Sequence, residues 1–328
     1  MTNAYQSLTP LIQKKGIITD PEEFHAIVNV VFHDQEAQYY DSLHTEMWQS
    51  LPRQYALLAD DLKAYFTSRK NLTLLDIGCG TGLATELLLN TIAGQSIANV
   101  HLLDTSAVML GKARYRAKAW HKNIDVTFGD IKAVNGTYDI ILVSSVMHHI
   151  PDLKAFLTSI SALQKPGGLL ITMHDPALEA LQSHTYKNRY KAYRQHVESG
   201  AEKAGRSFIS RVINKIKQAF EPQHYINTIN QILLKKNIIS EPLSETELWS
   251  ITDIHVEGLP YAANEGISKE MLLKALPGYN LHRYRTYAFF GTLSSNLTGA
   301  YKKEEELLSL SADQYGRNFS SIWVKKQD

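Results

Sequence analysis

From residue 71 onward the chain alternates two hydrophobic textures. NLTLLDIG, ANVHLLD, IDVTFGD, YDIILVSS and GGLLITMHD are short apolar runs of strand length, rich in leucine and β-branched residues. Between them, residues 82–93, 107–118 and 152–163 place their apolar positions at helical spacing. Such strand–helix alternation predicts a parallel sheet with helices on both faces. Lys165-Pro166-Gly167-Gly168 reads as the turn that opens the fifth strand. Ahead of this region, residues 22–69 carry a helical pattern with few breakers. After Asp175 the alternation stops for roughly ninety residues, where 206–220 (Phe208, Ile209, Val212, Ile213, Ile216, Phe220) and 224–236 repeat at helix spacing. It resumes with a short helix at 268–275, the Pro277-Gly278 turn, a strand at LHRYRTYAFFG, a charged helix at 299–312 and a last strand at 319–326, FSSIWVKK.

These changes of texture divide the chain into an N-terminal helical cap (1–70), an α/β core (71–175), a helical insertion (176–265) and a C-terminal return to the sheet (266–328). The 328 residues carry a formal net charge of +1, so any electrostatic recognition is local and the chain as a whole has no pull toward nucleic acid or membrane. No apolar run approaches the roughly eighteen residues that a membrane span needs, and the N-terminus lacks the texture of a signal peptide. The single cysteine, Cys79, excludes an intramolecular disulfide and any multi-cysteine metal site. A cytoplasmic protein is the resulting expectation.

The stretch LLDIGCGTGLAT, residues 74–85, concentrates the chemistry. A buried strand ends at Asp76 and runs into Gly78, Gly80 and Gly82, with a helix following. Glycines there allow a tight turn and a close approach of backbone to ligand, beside the free N–H groups of a helix start. The Gly-x-Gly-x-Gly spacing departs from the dinucleotide pattern, and on its own it points only to a nucleotide-like ligand. Asp104, twenty-two residues beyond Gly82 at the end of the second strand, is where a carboxylate can hold ribose hydroxyls. Cys79 reads as filler in the loop, since nothing around it would activate a thiolate.

With these motifs in place, the chain resembles the class I S-adenosylmethionine (SAM)-dependent methyltransferases, small-molecule type. The resemblance spans residues 32–175 and resumes at 266–328. It implies an α/β fold: a Rossmann-like, seven-stranded, mostly parallel sheet with an antiparallel last strand, plus N-terminal helices and a helical cap insertion. It also implies SAM as cofactor. By position, Asp76 and the three glycines would cradle its methionine part and Asp104 its ribose, with Met109 near the adenine. Asp130 of FGDI would accept from the adenine amino group, with Ile131 beside the ring. Ser144, Ser145 and Val146 would line the methyl end. FHDQEAQYYD (32–41), in which His33 separates Phe32 from Asp34, resembles the helix whose tyrosine contacts the SAM carboxylate, which points to Tyr40.

Methyl transfer from a sulfonium is an in-line displacement that needs alignment above all, and a base only where the nucleophile arrives protonated. The catalytic candidates are His149 in SSVMHHIPD, His174 beside Asp175, and His255 in ITDIHVEG. The same three could instead be metal ligands, but no paired-histidine spacing on a predicted helix supports that, and no metal is assigned. In the insertion, Tyr186 and Tyr190 share one predicted helix face and Lys191 and Arg194 the neighbouring one. Residues 184–220 hold nine Lys or Arg against two Glu, a local net of +7. These four residues are the expected substrate contacts, suited to an anionic small molecule; the alternative is that the tyrosines pack on the core and the cations are solvated. The expected function is methylation of a small anionic metabolite at O, N or C. Two rivals remain open: an RNA methyltransferase, and a SAM-binding cyclase or regulatory protein that transfers no methyl. The insertion's apolar residues would equally serve a homodimer contact.

Overall fold

The computed structural model describes residues 4–40, 45–198, 222–291, 294, 297–311 and 315–327. Seven strands form one sheet: β1 (Leu72–Ile77), β2 (Ile97–Asp104), β3 (Asn123–Phe128), β4 (Tyr138–Ser144), β5 (Gln164–Pro176), β6 (Tyr279–Tyr287) and β7 (Asn318–Lys325). Their order is β3-β2-β1-β4-β5-β7-β6. The first five are parallel, and β7 runs antiparallel to both β5 and β6. The order reverses between β1 and β4, and a crevice opens beyond the carboxyl ends of strands at such a switch point.

The helices are α1 (Tyr5–Lys14), α2 (Pro21–Glu36), α3 (Thr45–Asp61), α4 (Lys63–Thr67), α5 (Leu83–Leu89), α6 (Ala107–Ala117), α7 (Leu153–Leu163), α8 (Leu178–Gln182), α9 (His184–Glu198), α10 (Pro222–Lys235), α11 (Glu245–Thr252), α12 (Lys269–Ala275) and α13 (Gly299–Leu310). The expected strands all form. The helical pattern of 22–69 is divided among α2, α3 and α4, while the pattern at 206–220 lies outside the described residues.

The pleat sorts the core onto two faces. Leu74, Leu102, Ile140, Leu142, Leu169 and Ile171 turn toward Tyr55 and Leu58 of α3, Leu83 of α5 and Ala113 of α6. Leu75, Leu103, Ile141, Val143 and Leu170 turn the other way, toward Phe156 and Leu157 of α7 and Leu272 of α12. A third apolar cluster joins chain segments far apart in sequence. Leu8 and Leu11 of α1 and Phe24, Val28 and Phe32 of α2 pack against Ile229 and Leu233 of α10 and Leu248 and Ile251 of α11. α1 and α2 of the N-terminal part and α10 and α11 of the insertion are therefore one helical layer.

Local chemistry pins that layer. Asp20 caps α2 by accepting from the N–H groups of Glu22 and Glu23, with Pro21 at the first helical position. Ser244 and Glu247 form a capping box on α11, and Glu247 also accepts from Lys14 at the end of α1 at 3.1 Å. The Asn230 side chain exchanges two hydrogen bonds with the Leu243 backbone. Among the described residues, no helix is long and apolar enough to cross a membrane. Because Phe24 is fully buried in the shared cluster, Phe24→Ala is expected to destabilise the protein by about 3–5 kcal/mol, read from urea unfolding.

Candidate active site

The crevice at the switch point is a cavity of about 540 Å³ between the carboxyl edge of the sheet and the helical layer. Its floor begins at the loop after β1. Gly78, Gly80 and Gly82 have φ of +65°, +53° and +83°, the left-handed region that side chains avoid. A Cβ on Gly78 would stand 2.5 Å from Val146 Cγ2, whereas one on Gly80 would meet nothing within 4 Å. Gly78 thus lets the loop pass the end of β4, and Gly80 leaves room beside the cavity.

Asp104 ends β2 at the cavity wall and accepts from the N–H groups of Gly80 and Ser106, both at 2.8 Å. Burial pushes its carboxyl up in pKa, and those two hydrogen bonds pull it back. Tyr40, Met109, Asp130, Ile131, Ser144, Ser145 and Val146 also line the cavity, with Ser144 buried beside Tyr55. Cys79 is buried against the loop and its thiol is pushed up well above the usual value, first by burial and then by Asp76 and Asp104.

Two of the expected cofactor contacts do not line the cavity. Asp76 belongs to the strand face that looks toward α3 and α5, where it is fully buried and accepts from the Thr85 hydroxyl at 2.6 Å. Gly82 is the N-cap position of α5, and a Cβ there would press on Trp120 and Ala113. Both shape the loop from behind.

The opposite end of the cavity is a wall of histidines. His148 and His149 follow β4, their ring centroids 3.9 Å apart. His148 Nδ1 donates to Asp175 Oδ1 at 2.8 Å, while its Nε2 lies 3.8 Å from Asp253 Oδ1. His149 Nδ1 donates to the Thr252 carbonyl at 2.8 Å and lies 3.2 Å from Asp253 Oδ1. From α2, His33 sets its ring edge-to-face on His149 at 4.9 Å and pairs with Glu36 at 3.2 Å. Burial lowers His148, and the neighbouring His149 adds to this. For His149 burial acts in the same direction, but the Asp253 carboxylate outweighs it and the net shift is upward. Burial takes Asp175 up to about 7 and His25, also on this wall, down to about 3.

Of the three expected catalytic histidines, only His149 is in the cavity. A β-bulge at His174, with φ +67°, turns that ring to the far face of the sheet, where Tyr287 and Asn318 meet its Nδ1 at 2.9 and 3.2 Å. His255 is buried and structural: its Nε2 donates to the Ile150 carbonyl at 2.9 Å, and Asn264 meets its Nδ1. The alternative metal set of His149, His174 and His255 is therefore not assembled. Nor do Tyr186, Tyr190, Lys191 and Arg194 reach the cavity. Tyr186 is buried with its ring stacked on Tyr190 against Gly291, Tyr193 packs on Phe290 and Tyr301, and Lys191 and Arg194 are exposed. The tyrosine stripe of α9 is a packing face.

Among the cavity residues to which the sequence reading gave no role are His25, Asn29, His33 and Glu36. They recur at i, i+4, i+8 and i+11, which is one helix face. That polar stripe beside the apolar Phe24, Val28, Val31 and Phe32 was the available signal. Asp253 had none, because the chain approaches the wall there only through the fold.

Residues 75–170, which hold the glycine loop, match the family model for a methyltransferase domain. A ubiquinone biosynthesis O-methyltransferase of Bradyrhizobium sp. (strain ORS 278) is 36% identical over 102 residues, covering 30% of this chain and 38% of that protein. A highly reducing polyketide synthase of Aspergillus carbonarius (strain ITEM 5010), otaA, is 29% identical over 145 residues, 39% of this chain and 6% of its own length. The match thus spans well under half the length of these relatives. Among solved structures, magnesium protoporphyrin IX methyltransferase from Synechocystis PCC 6803, with bound SAH, aligns over 87% of both chains at 13% identity and a TM-score of 0.43.

Asp76 generates a pH prediction. Burial raises its carboxyl from 3.8 to about 7, so between those values the folded chain holds a proton that the unfolded chain releases. Stability from this group falls as pH rises through that window. Asp76→Asn, which mimics the protonated form, is expected to exceed wild-type stability near pH 8 by on the order of 1–4 kcal/mol, the gap closing toward pH 4 in paired thermal melts.

Proposed function

We propose that the protein is a SAM-dependent methyltransferase acting on a small molecule through an oxygen nucleophile held at the histidine wall. The observation that carries this reading is the pairing, across one cavity, of a glycine-loop crevice with the wall of His148 and His149. The crevice fits SAM on its own chemistry. Asp104 offers acceptor lone pairs at the end of β2, Gly80 leaves open space, and Ser144 brings a hydroxyl to the cavity wall. Met109 and Ile131 supply apolar faces for a ring, Asp130 an acceptor at its edge, and Tyr40 a contact at the methionine end.

When bound, SAM supplies an electrophilic methyl on a sulfonium. The chain's own residues then align the acceptor and exclude water. Tyr5, Phe32, Phe156 and Trp249 give the far side of the cavity an aromatic lining suited to the body of a small organic substrate. His149, oriented by Thr252 and Asp253, stands on the wall that faces the reacting oxygen. The helical layer over the cavity favours a small substrate over a polynucleotide. Among the described residues, Lys132 is the only Lys or Arg along the lining, and α9 contributes no residue to it. The relatives named as O-methyltransferases support oxygen as the acceptor.

The test combines calorimetric SAM binding with a search by mass spectrometry for products labelled from deuteromethyl SAM in a metabolite extract. A labelled small molecule with release of S-adenosylhomocysteine is the expected result. Binding without any transfer to substrates bearing hydroxyl or enol oxygens would favour the non-transferring reading, and no SAM binding would sink both. Asp104→Ala is expected to weaken SAM binding roughly 10–100-fold, the loss of hydrogen bonds to a charged group.

A further inference from the structure

We propose that His148, His149 and Asp253 hold a divalent transition-metal ion on the substrate side of the cavity. The site is inferred from these side chains alone; only what it presents the metal to rests on the methyltransferase reading.

The first argument is distance. One donor atom from each of the three residues lies within 4.8 Å of the others, with His148 Nε2 3.8 Å from Asp253 Oδ1. Donors that share a metal at about 2.0–2.2 Å stand roughly 3–4 Å apart, so a small inward movement completes the set.

The second argument is which nitrogens carry protons. Asp175 accepts from His148 Nδ1 at 2.8 Å, and the Thr252 carbonyl accepts from His149 Nδ1 at the same distance. The first bond leaves His148 Nε2, the nitrogen that faces Asp253, with its lone pair, and a carboxylate behind the imidazole is the outer-shell arrangement that metal-bound histidines use. On His149 it is Nδ1 that lies 3.2 Å from Asp253, so that ring exchanges its Thr252 contact for the metal. The His148 lone pair also faces the Asp253 carboxylate. Two electron-rich atoms so placed repel each other unless a cation lies between them.

Charge balance is the third argument. Asp175, Asp253 and Glu36 bring three largely buried carboxyl groups around His33, His148 and His149. Buried carboxylates need compensation, and among the described residues Lys132, beyond β3 at the opposite end, is the one Lys or Arg along the cavity. Glu36 and Asp253 pair with the imidazoles of His33 and His149, and a divalent ion would supply the same compensation more strongly. Two imidazoles with one carboxylate select a zinc-, iron(II)- or cobalt-class ion over magnesium or calcium. Its remaining positions face the cavity, where they would take an anionic oxygen of the substrate.

Cobalt(II) tests this directly on the untagged full-length chain after chelator treatment. The expected result is a visible d–d absorption that saturates at one cobalt per chain and is displaced by zinc. Asp253→Asn and His148→Gln should abolish it, and Asp175→Asn should weaken binding about 10–100-fold by releasing the His148 ring. Circular dichroism identifies any variant that does not fold, and the decision then rests on wild type and the remaining variants. No stoichiometric absorption from folded wild type, or equal absorption from folded Asp253→Asn and His148→Gln, overturns the proposal. A chain that takes cobalt but not SAM keeps the metal site and loses the functional reading. One that takes SAM but not cobalt does the reverse.

Discussion

Everything at the carboxyl edge of the sheet depends on how closely the loop after β1 passes the exit of β4. At Gly78 the two segments are so near that even a Cβ would collide with Val146. The constraint is steric and local, yet it sets the width of the crevice. It also holds Gly80 where its N–H can reach Asp104, and so ties the ends of β1 and β2 into one rim. Behind the rim, Asp76 spends its burial on the same loop through Thr85 of α5. A carboxyl that faces away from the cavity therefore still decides the cavity's shape.

The second wall is built by chain segments more than two hundred residues apart. α2 and α11 have weak reasons to be helices on their own, and each leans on a capping residue. What holds them over the sheet is their shared apolar cluster, which is the dominant favourable term available to them. The same packing delivers His33 from one segment and Asp253 from the other onto the histidines that follow β4. The lid and the polar wall thus form together or not at all. This is also why a wall rich in buried titratable groups is tolerable: hydrophobic contacts outside the cavity offset the cost of desolvating it.

Legibility followed the range of the interactions involved. Strands, their parallel order and the glycine loop are written in periods of two or four residues and in a few glycines, so they were readable in the sequence. Of the cavity-lining positions, Gly78, Gly80 and Asp104 were named from the glycine-loop motif, and Tyr40, Met109, Asp130, Ile131 and Ser144 from the family resemblance it carries. Asp76 and Gly82 come from the same motif, but the pleat turns one away and helix packing uses the other. The basic run of α9 misled because a stripe of tyrosines reads alike whether it stacks on a ligand or on Gly291 and Phe290. Asp253 was beyond reach, since its role exists only once a distant segment has docked.

His174 marks the boundary between these cases. Along β5, Leu170 faces the α7 side and Leu169, Ile171 and Met173 face the α3 side. Simple alternation would send His174 with Leu170, toward His148, and Asp175 to the far face. The bulge reverses this by one residue. A non-glycine residue at φ +67° is uncommon, and here the partners Tyr287 and Asn318 secure the ring in its displaced position. The effect is to replace an imidazole behind His148 with a carboxyl. An imidazole there would have left the His148 tautomer unassigned, because it could donate or accept. A carboxylate accepts, holds the proton on Nδ1, and turns Nε2 toward Asp253. One inserted residue in one strand thereby determines the polarity of the whole wall.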